Sequence, residues 1–173
     1  MSIHIIIDGY NLIRQSDGLS HIDRVDLQMG REALIEALVE YRRRKPHRIT
    51  VVFDGGGAPP FTPQGERYGG IEIRFSRKGE TADAMIKRMA RREKERAMVV
   101  SSDREIVASA QRSGAAAIGS RAFERKLADG NAINDVDIDA RCDEGWVPTT
   151  RKKGPSRRLS KRARKNHLKA RKL

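Results

Sequence analysis

The stretch Ile3-His4-Ile5-Ile6-Ile7-Asp8-Gly9-Tyr10-Asn11 decides the fold of this chain. A run rich in β-branched residues that stops at an acid and a glycine predicts a buried parallel strand with a carboxylate at its C-terminal end. Two later stretches repeat the layout, since residues 49–53 precede Asp54-Gly55 and residues 98–102 precede Asp103. Ligands gather at the carboxyl ends of strands in open α/β sheets, so we expect these acids at one edge of one sheet.

Helical segments separate these strands. The apolar side chains of residues 34–41 recur at helical spacing, and Pro46 ends this helix. Residues 80–83 open a second helix with acids in its first turn, and Ser102 or Asp103 caps a third. Strands joined by helices of this length predict right-handed crossovers and an α/β fold with a mainly parallel sheet.

Three other segments have weaker patterns. Residues 15–26 are polar and are predicted to form a loop, with Asp23 or Asp26 as the cap of the helix that follows. The glycine- and proline-rich residues 54–70 are also predicted to form a loop. Residues 71–75 alternate apolar and polar side chains, which predicts a half-exposed edge strand.

Positive charge is concentrated at the C-terminal end. The 173 residues include 36 Lys and Arg against 23 Asp and Glu, and residues 151–173 hold twelve of these basic residues and no acid. We therefore predict a globular domain over residues 1–147 and a flexible basic tail over residues 148–173. Blocks of like charge are typical of interaction tails, and such residues bind phosphates with release of counterions. A tail that only adds solubility is the alternative.

The remaining composition indicates a soluble protein of the cytoplasm. Cys142 is the single cysteine, so an internal disulfide is excluded and a disulfide-linked partner is not expected. The N-terminal apolar run is short and stops at Asp8, unlike a signal peptide. No stretch approaches the roughly 18 apolar residues of a membrane span, so we expect no membrane partner.

The aspartates Asp8, Asp83 and Asp103 come from three separate parts of the chain and form the candidate site. If their carboxylates meet, the repulsion between them requires a cation or a shared proton. Oxygen ligands select Mg²⁺ or Mn²⁺, which lower the pKa of a bound water and neutralise charge on a phosphodiester. The pattern therefore predicts hydrolysis of nucleic acid. The simpler alternative is that Asp103 only caps a helix and Asp83 only complements a helix dipole.

Four further residues near these acids have two possible roles each. Asp54 is a metal ligand or a turn former, and Glu80 is a ligand or a helix cap. Asn11 orients a water or holds the turn after the first strand by its own side chain. Ser102 bonds a neighbouring carboxylate or caps a helix.

Four blocks of this sequence carry a resemblance to a known family. They are Asp8-Gly9-Tyr10-Asn11, Val52-Phe53-Asp54-Gly55, Glu80-Thr81-Ala82-Asp83 and Ser101-Ser102-Asp103. In this order, over about residues 1–130, they resemble the NYN domain of the YacP type, a branch of the PIN-like nucleases. We expect the resemblance to end there, because the basic C-terminal sequence departs from the mixed-charge segment of the relatives.

The resemblance implies a PIN-like three-layer α/β sandwich and an Mg²⁺- or Mn²⁺-dependent endoribonuclease acting on RNA. The metal-binding acids of the family fall on Asp8, Asp83 and Asp103. Glu80 is implied as a further ligand and Asn11 as a further catalytic residue. Some relatives resemble ribosome-associated endonucleases of messenger RNA, which makes mRNA and the ribosome the expected partners.

Basic side chains beside the predicted site and in the tail are the candidate substrate contacts. They are Arg74, Arg77, Lys78, Arg157, Arg158, Lys161, Arg162, Arg164 and Lys165. Two other functions fit the same sequence: a catalytically idle protein that binds RNA or the ribosome, and a PIN-like DNA nuclease. The sequence leaves the RNA target, the number of ions and the role of the acidic residues 131–147 open.

Overall fold

The computed structural model of the protein describes residues 3–55, 65–77, 79–128, 166 and 168–170. Six strands form its central sheet: β1 (His4–Asp8), β2 (Arg48–Phe53), β3 (Gly65–Tyr68), β4 (Ile71–Phe75), β5 (Ala97–Val100) and β6 (Ala116–Ile118). Their order across the sheet is β3-β4-β2-β1-β5-β6, and all neighbours are parallel except β3, which is antiparallel to β4. The predicted mainly parallel sheet is confirmed, with the strands before Asp54 and Asp103 on either side of β1.

Helices cover both faces of this sheet. They are α1 (Gly9–Gln15), α2 (Asp17–Val25), α3 (Leu27–Arg44), α4 (Ala82–Glu93), α5 (Arg104–Arg112) and α6 (Ser120–Ala128). On one face, Ile5 and Ile7 of β1 share an apolar core with α1, α3 and α6. On the other, Ile6 packs with α4 and α5. Every residue of β1 is buried, as expected for a parallel strand between two helical layers. The three-layer sandwich is confirmed.

The helices begin where the sequence places capping residues. The Asp26 carboxylate accepts from the amides of Gln28 and Met29 at the start of α3, and the Thr81 hydroxyl accepts from Ala84 at the start of α4. These side chains satisfy amides that have no partner within the helix. Because each helix follows a parallel strand, the N-terminal ends of α1, α4 and α5 lie at the carboxyl edge of the sheet.

Two predicted loops contain regular structure. Residues 15–26 lie mostly in α1 and α2. Ser16 separates the two helices, and its hydroxyl caps α2 by accepting from the Leu19 amide. Residues 65–68 form β3 and continue the sheet beyond β4, so residues 71–75 are not at the edge. The strand has no alternation of apolar and polar residues that would predict it, and all four of its residues are exposed.

The described end of the C-terminal segment packs onto the domain. Residues 166 and 168–170 are helical, and Ala170 is only 2% exposed within the core that contains α3 and α6. The Lys169 ammonium donates to the backbone carbonyl of Glu95, just before β5. This differs from a tail that is flexible to its end.

Several predicted features fall outside the described residues. They are Lys78, the segment 131–147 and the tail residues Arg157, Arg158, Lys161, Arg162, Arg164 and Lys165. Among the helices that the structure does describe, none is long and apolar enough to cross a membrane.

Candidate active site

Asp8 ends β1 and points its carboxylate toward the carboxyl edge of the sheet. One oxygen accepts from the Asn11 amide at 3.2 Å, which caps α1, and the other accepts from the Ser101 hydroxyl at 3.2 Å. Burial, together with the negative charges of Asp83 and Asp103, raises the pKa of Asp8 to about 6 against these two hydrogen bonds. Asp8 thus carries a negative charge that its own surroundings only partly compensate.

Asp83 and Asp103 lie close enough to Asp8 to affect its ionisation, as the sequence predicts. Asp83 is in the first turn of α4, where burial and the negative charge of Asp103 raise its pKa despite the nearby Lys87 ammonium. Asp103 caps α5, accepting from the Glu105 amide at 2.7 Å and the Ile106 amide at 3.2 Å. The structure therefore brings the three aspartates to one edge, and the capping role of Asp103 is also confirmed.

These carboxylates do not form a ready-made ligand set. Within the described residues, no three His, Cys, Asp or Glu side chains are grouped so that they could hold a metal ion. Asp8 and Asp103 each accept hydrogen bonds from the protein, and mutual repulsion opposes a closer approach. Mg²⁺ is commonly bound by only one or two carboxylates together with waters and substrate phosphates. Burial, with a smaller contribution from neighbouring carboxylates, raises the pKa of Asp8 and of Asp83. Carboxylate oxygens are the ligands that suit such a hydrated ion.

The side chain of Asn11 bonds to two distant parts of the chain, and a role in orienting a water stays a prediction. Its side-chain oxygen accepts from the Ser102 amide at 2.9 Å and from the Ser120 hydroxyl at 2.7 Å. The Ser102 hydroxyl in turn accepts from the Ser120 amide at 3.1 Å. Asn11 therefore ties α1 to the end of β5 and the start of α6. Ser102 takes part in this network, and the serine that bonds a carboxylate is its neighbour Ser101.

Ser101 is the site residue that the sequence pattern did not single out. It is fully buried, donates to Asp8 and accepts from the Asp103 amide at 3.1 Å, so it links two of the three acids. The register of β1 and β5 pairs Ile7 with Val100, which puts Ser101 beside Asp8. The sequence predicts the two strands but not their register, so it did not indicate that Ser101 lies beside Asp8.

Glu80 and Asp54 lie apart from the hydrogen-bonded acids. The Glu80 carboxylate forms an ion pair with Arg88, and both line a cleft of about 470 Å³. Asp54 is exposed and accepts from the Ser76 hydroxyl at 3.3 Å. Its charge contributes to the raised pKa of Asp83. The structure therefore places Glu80 with an arginine, and a metal-binding role for it stays a prediction.

Gly9 follows Asp8 for a steric reason. A Cβ atom at this position would lie 2.3 Å from Cε1 of Phe53, well inside contact distance. The Phe53 ring is fully buried and packs against Tyr10 and Phe75, with ring centroids 5.1 and 5.7 Å away. Only glycine lets α1 begin directly over this ring and so fixes the direction of the Asp8 side chain.

Residues 5–172 match the family model of the YacP-like NYN domain. The chain belongs to this family. The match carries the NYN region to residue 172, whereas the sequence resemblance was expected to end near residue 130. The basic C-terminal segment is therefore part of the family region. NYN domains are PIN-like, and membership indicates a nuclease.

Relatives of this NYN protein come from Bacillus subtilis. It is 28% identical over 86 residues to the uncharacterized protein YacP of strain 168, a match covering 50% of this chain and only 50% of that protein. Two crystal structures of Rae1 (YacP) share the fold with a TM-score of 0.61 each. One, a mutant, is 24% identical over 74% of this chain and 76% of its own. The other is 26% identical over 75% of both chains.

Proposed function

We propose that this NYN protein is an endoribonuclease that requires Mg²⁺ or Mn²⁺ and hydrolyses phosphodiester bonds of RNA at the edge formed by Asp8, Asp83 and Asp103. The observation that carries the proposal is the convergence of Asp8, Asp83 and Asp103 at the carboxyl edge of the sheet, where Asp8 is buried. Perturbed carboxylates grouped at one end of a sheet are typical of active sites. Family membership supports the same class of chemistry.

The three aspartates would hold the ion through their carboxylate oxygens. A bound Mg²⁺ or Mn²⁺ supplies charge neutralisation for the phosphodiester and acidifies a bound water. Ser101 orients Asp8 and the amide of Asp103 through one hydroxyl. Asn11 fixes the turn that carries Asp8 relative to β5 and α6. Both are positioning residues that keep the acids in place when substrate binds.

RNA is the proposed substrate, and mRNA on the ribosome is the form that the family resemblance favours. Arg74 and Arg77 line the cleft of about 470 Å³ together with Glu80. Guanidinium groups there suit phosphate oxygens of a backbone. The proposed place of action is the cytoplasm, where single-stranded RNA is available.

The direct test is cleavage of a single-stranded RNA and of a DNA with the same sequence, each with Mn²⁺ and with a chelator. We expect metal-dependent cleavage of RNA only, reduced at least about 100-fold by Asp8→Asn or Asp83→Asn, since several kcal/mol of transition-state stabilisation depend on the ion. Asp17→Asn, an exposed acid in α2, is the matched control and should cut at the wild-type rate. Equal cleavage rates for all three variants would show that Asp8 and Asp83 do not form the active site.

A second function is an RNA-binding protein whose acids are catalytically idle. The absence of a ready-made group of three ligands in the described residues favours it, as does the use of Asp103 as a helix cap. It predicts RNA binding without cleavage and no stabilisation by Mn²⁺. The endonuclease instead predicts a higher melting temperature with Mn²⁺, because a ligand that binds only the folded state stabilises it. Cleavage of the DNA would point to the third candidate, a DNA nuclease.

A further inference from the structure

The outer face of β4 carries charged side chains that no layer of the sandwich hides. Ile71, Ile73 and Phe75 point into the core with α3, so Glu72 and Arg74 point to the opposite face. On that face α4 packs on β1, β5 and β2. A groove therefore runs along β4, between the side of α4 and the edge of the sheet.

Two clefts make up this groove. The one nearer the acids, of about 470 Å³, is lined by Arg74, Arg77 and Arg88. The other, of about 310 Å³, lies at the amino ends of β2 and β4 and is lined by Arg42, Arg48 and Arg67. Glu72 lines both clefts, so they adjoin at this residue.

Ion pairs connect the two clefts across Glu72. Its carboxylate accepts from Arg48 at 3.2 Å on one side and from the Arg74 Nε at 2.8 Å on the other. Burial would raise the pKa of Glu72, but hydrogen bonds from Arg74 and Arg48 lower it to about 2. Apart from Glu72, the acid that lines the clefts is Glu80, which is paired with Arg88. Six arginines face these two acids and Glu93, which pairs with Arg48 from outside the clefts, so the groove carries a net positive charge.

The far end of the groove is held in place by the turn between β3 and β4. Gly69 and Gly70 have φ of +56° and +83°, the left-handed region that favours glycine. A Cβ at Gly70 would lie 2.1 Å from Nη1 of Arg42, and Arg42 donates to the Gly69 carbonyl at 3.4 Å. The turn thus closes over Arg42. On β3, Arg67 lies directly opposite Glu72 and so shares its face.

We infer that this groove is the track for the sugar–phosphate backbone of one RNA strand, from the acids to the amino edge of the sheet. The inference rests on the proposed function and adds the path and the single-stranded form of the substrate. Asp54 comes six positions after Arg48, so the track is roughly 20 Å long at the rise of a β-strand. Arginines spaced along a groove bind successive phosphates without reading sequence.

The test measures binding of an unstructured 20-nucleotide RNA over a series of salt concentrations, in the Asp8→Asn background so that the RNA stays intact. Arg67→Gln is the test variant, because Arg67 is exposed, lies at the far end of the track and is remote from the acids. Arg112→Gln, at the exposed end of α5 and outside the groove, is the control. Melting temperatures verify that both variants fold.

We expect Arg67→Gln to weaken binding and to reduce the slope of log K against log salt by about 0.7, the loss of one phosphate contact on a single strand. Arg112→Gln should leave both unchanged, since the C-terminal segment contributes equally to all variants. Equal slopes for the two variants would overturn the track. If the wild type cuts no RNA but Arg67→Gln still lowers the slope, the proposed nuclease fails and the track stands.

Discussion

Asp8 and Glu72 are carboxylates on the same sheet and both accept hydrogen bonds, yet their pKa values lie on opposite sides of the ordinary range. Burial raises the pKa of Asp8 to about 6, where two neutral donors and two other carboxylates surround it. Burial acts in the same direction on Glu72, but two guanidinium groups bond to it and lower its pKa to about 2. The partners, and not the burial, decide the difference.

The contrast distinguishes a carboxylate whose charge is balanced by arginines, Glu72, from one whose hydrogen-bond donors are neutral, Asp8. Arg48 and Arg74 supply the positive charge that Glu72 needs. Among the described residues, Asp8 accepts hydrogen bonds from a hydroxyl and a backbone amide, which are both neutral donors. A buried carboxylate without a positively charged partner is costly to ionise, and such groups are typical of functional sites.

The largest effect that would test this contrast is in the pH dependence of stability. A folded-state pKa raised from 3.8 to about 6 means that the native state binds the proton more tightly than the unfolded chain. Stability from Asp8 is therefore full below about pH 4 and is lost as pH rises through 6, by about 3 kcal/mol. We expect the free energy of unfolding of the metal-free wild type to fall by this amount relative to Asp8→Asn between pH 4 and 7.

Urea titrations of both proteins with a chelator present measure this difference directly. The uncharged Asn variant is the reference, because every other titrating group is common to both. Glu72 does not interfere, because its stabilising ionisation, which is lost as the pH falls from about 4.5 to 2, is common to both proteins. A difference that stays flat from pH 4 to 7 would mean that Asp8 is as well compensated as Glu72.

Removing one of the two donors to Asp8 should widen the contrast. Ser101→Ala leaves an Asp8 oxygen and the Asp103 amide without their partner, and so should cost about 2 kcal/mol of unfolding free energy. Ser113→Ala removes a hydroxyl that donates to the Ser109 carbonyl at the end of α5, and it should cost less than about 1 kcal/mol. Equal losses in chemical denaturation would show that Ser101 does not support the acids.

Asp103 caps α5 and is also proposed as a metal ligand, and two substitutions separate these roles. Asp103→Ala removes the α5 cap and should destabilise the metal-free protein by about 1 kcal/mol, whereas Asp103→Asn keeps the capping oxygen and should be nearly neutral. Both variants should lose the rise in melting temperature that Mn²⁺ gives the wild type. A full rise with Asp103→Asn would leave Asp103 as a cap only.

The smallest effect is expected at Asp83. Its pKa is raised by burial and by neighbouring carboxylates, so Asp83→Asn relieves a repulsion and should leave the metal-free protein equally stable or a few tenths of a kcal/mol more stable. Thermal denaturation of the chelated protein measures this change. A loss above about 1 kcal/mol would make Asp83 a structural residue like Glu72.

The sequence predicts the positions of the acids well because strand endings are local signals. An apolar run that stops at Asp8 or Asp103 is visible in the chain itself, and a parallel sheet aligns such endings at one edge. The bonds of Ser101 and Asn11 join residues that are 93 and 109 positions from their partners. They depend on strand register and helix placement, which local patterns do not encode. For the same reason the ion pairs of Glu72 could not be read from the chain.

The network of Asn11 has a mechanical consequence. Its amide oxygen accepts from Ser120 of α6, and the Ser16 hydroxyl donates to Glu124 of the same helix, so α6 is bonded to the turn after Asp8 and to the far end of α1. A force that displaced α6 would be transmitted to that turn. The positions of the acids therefore depend on how firmly α6 packs, although α6 carries none of the three acids.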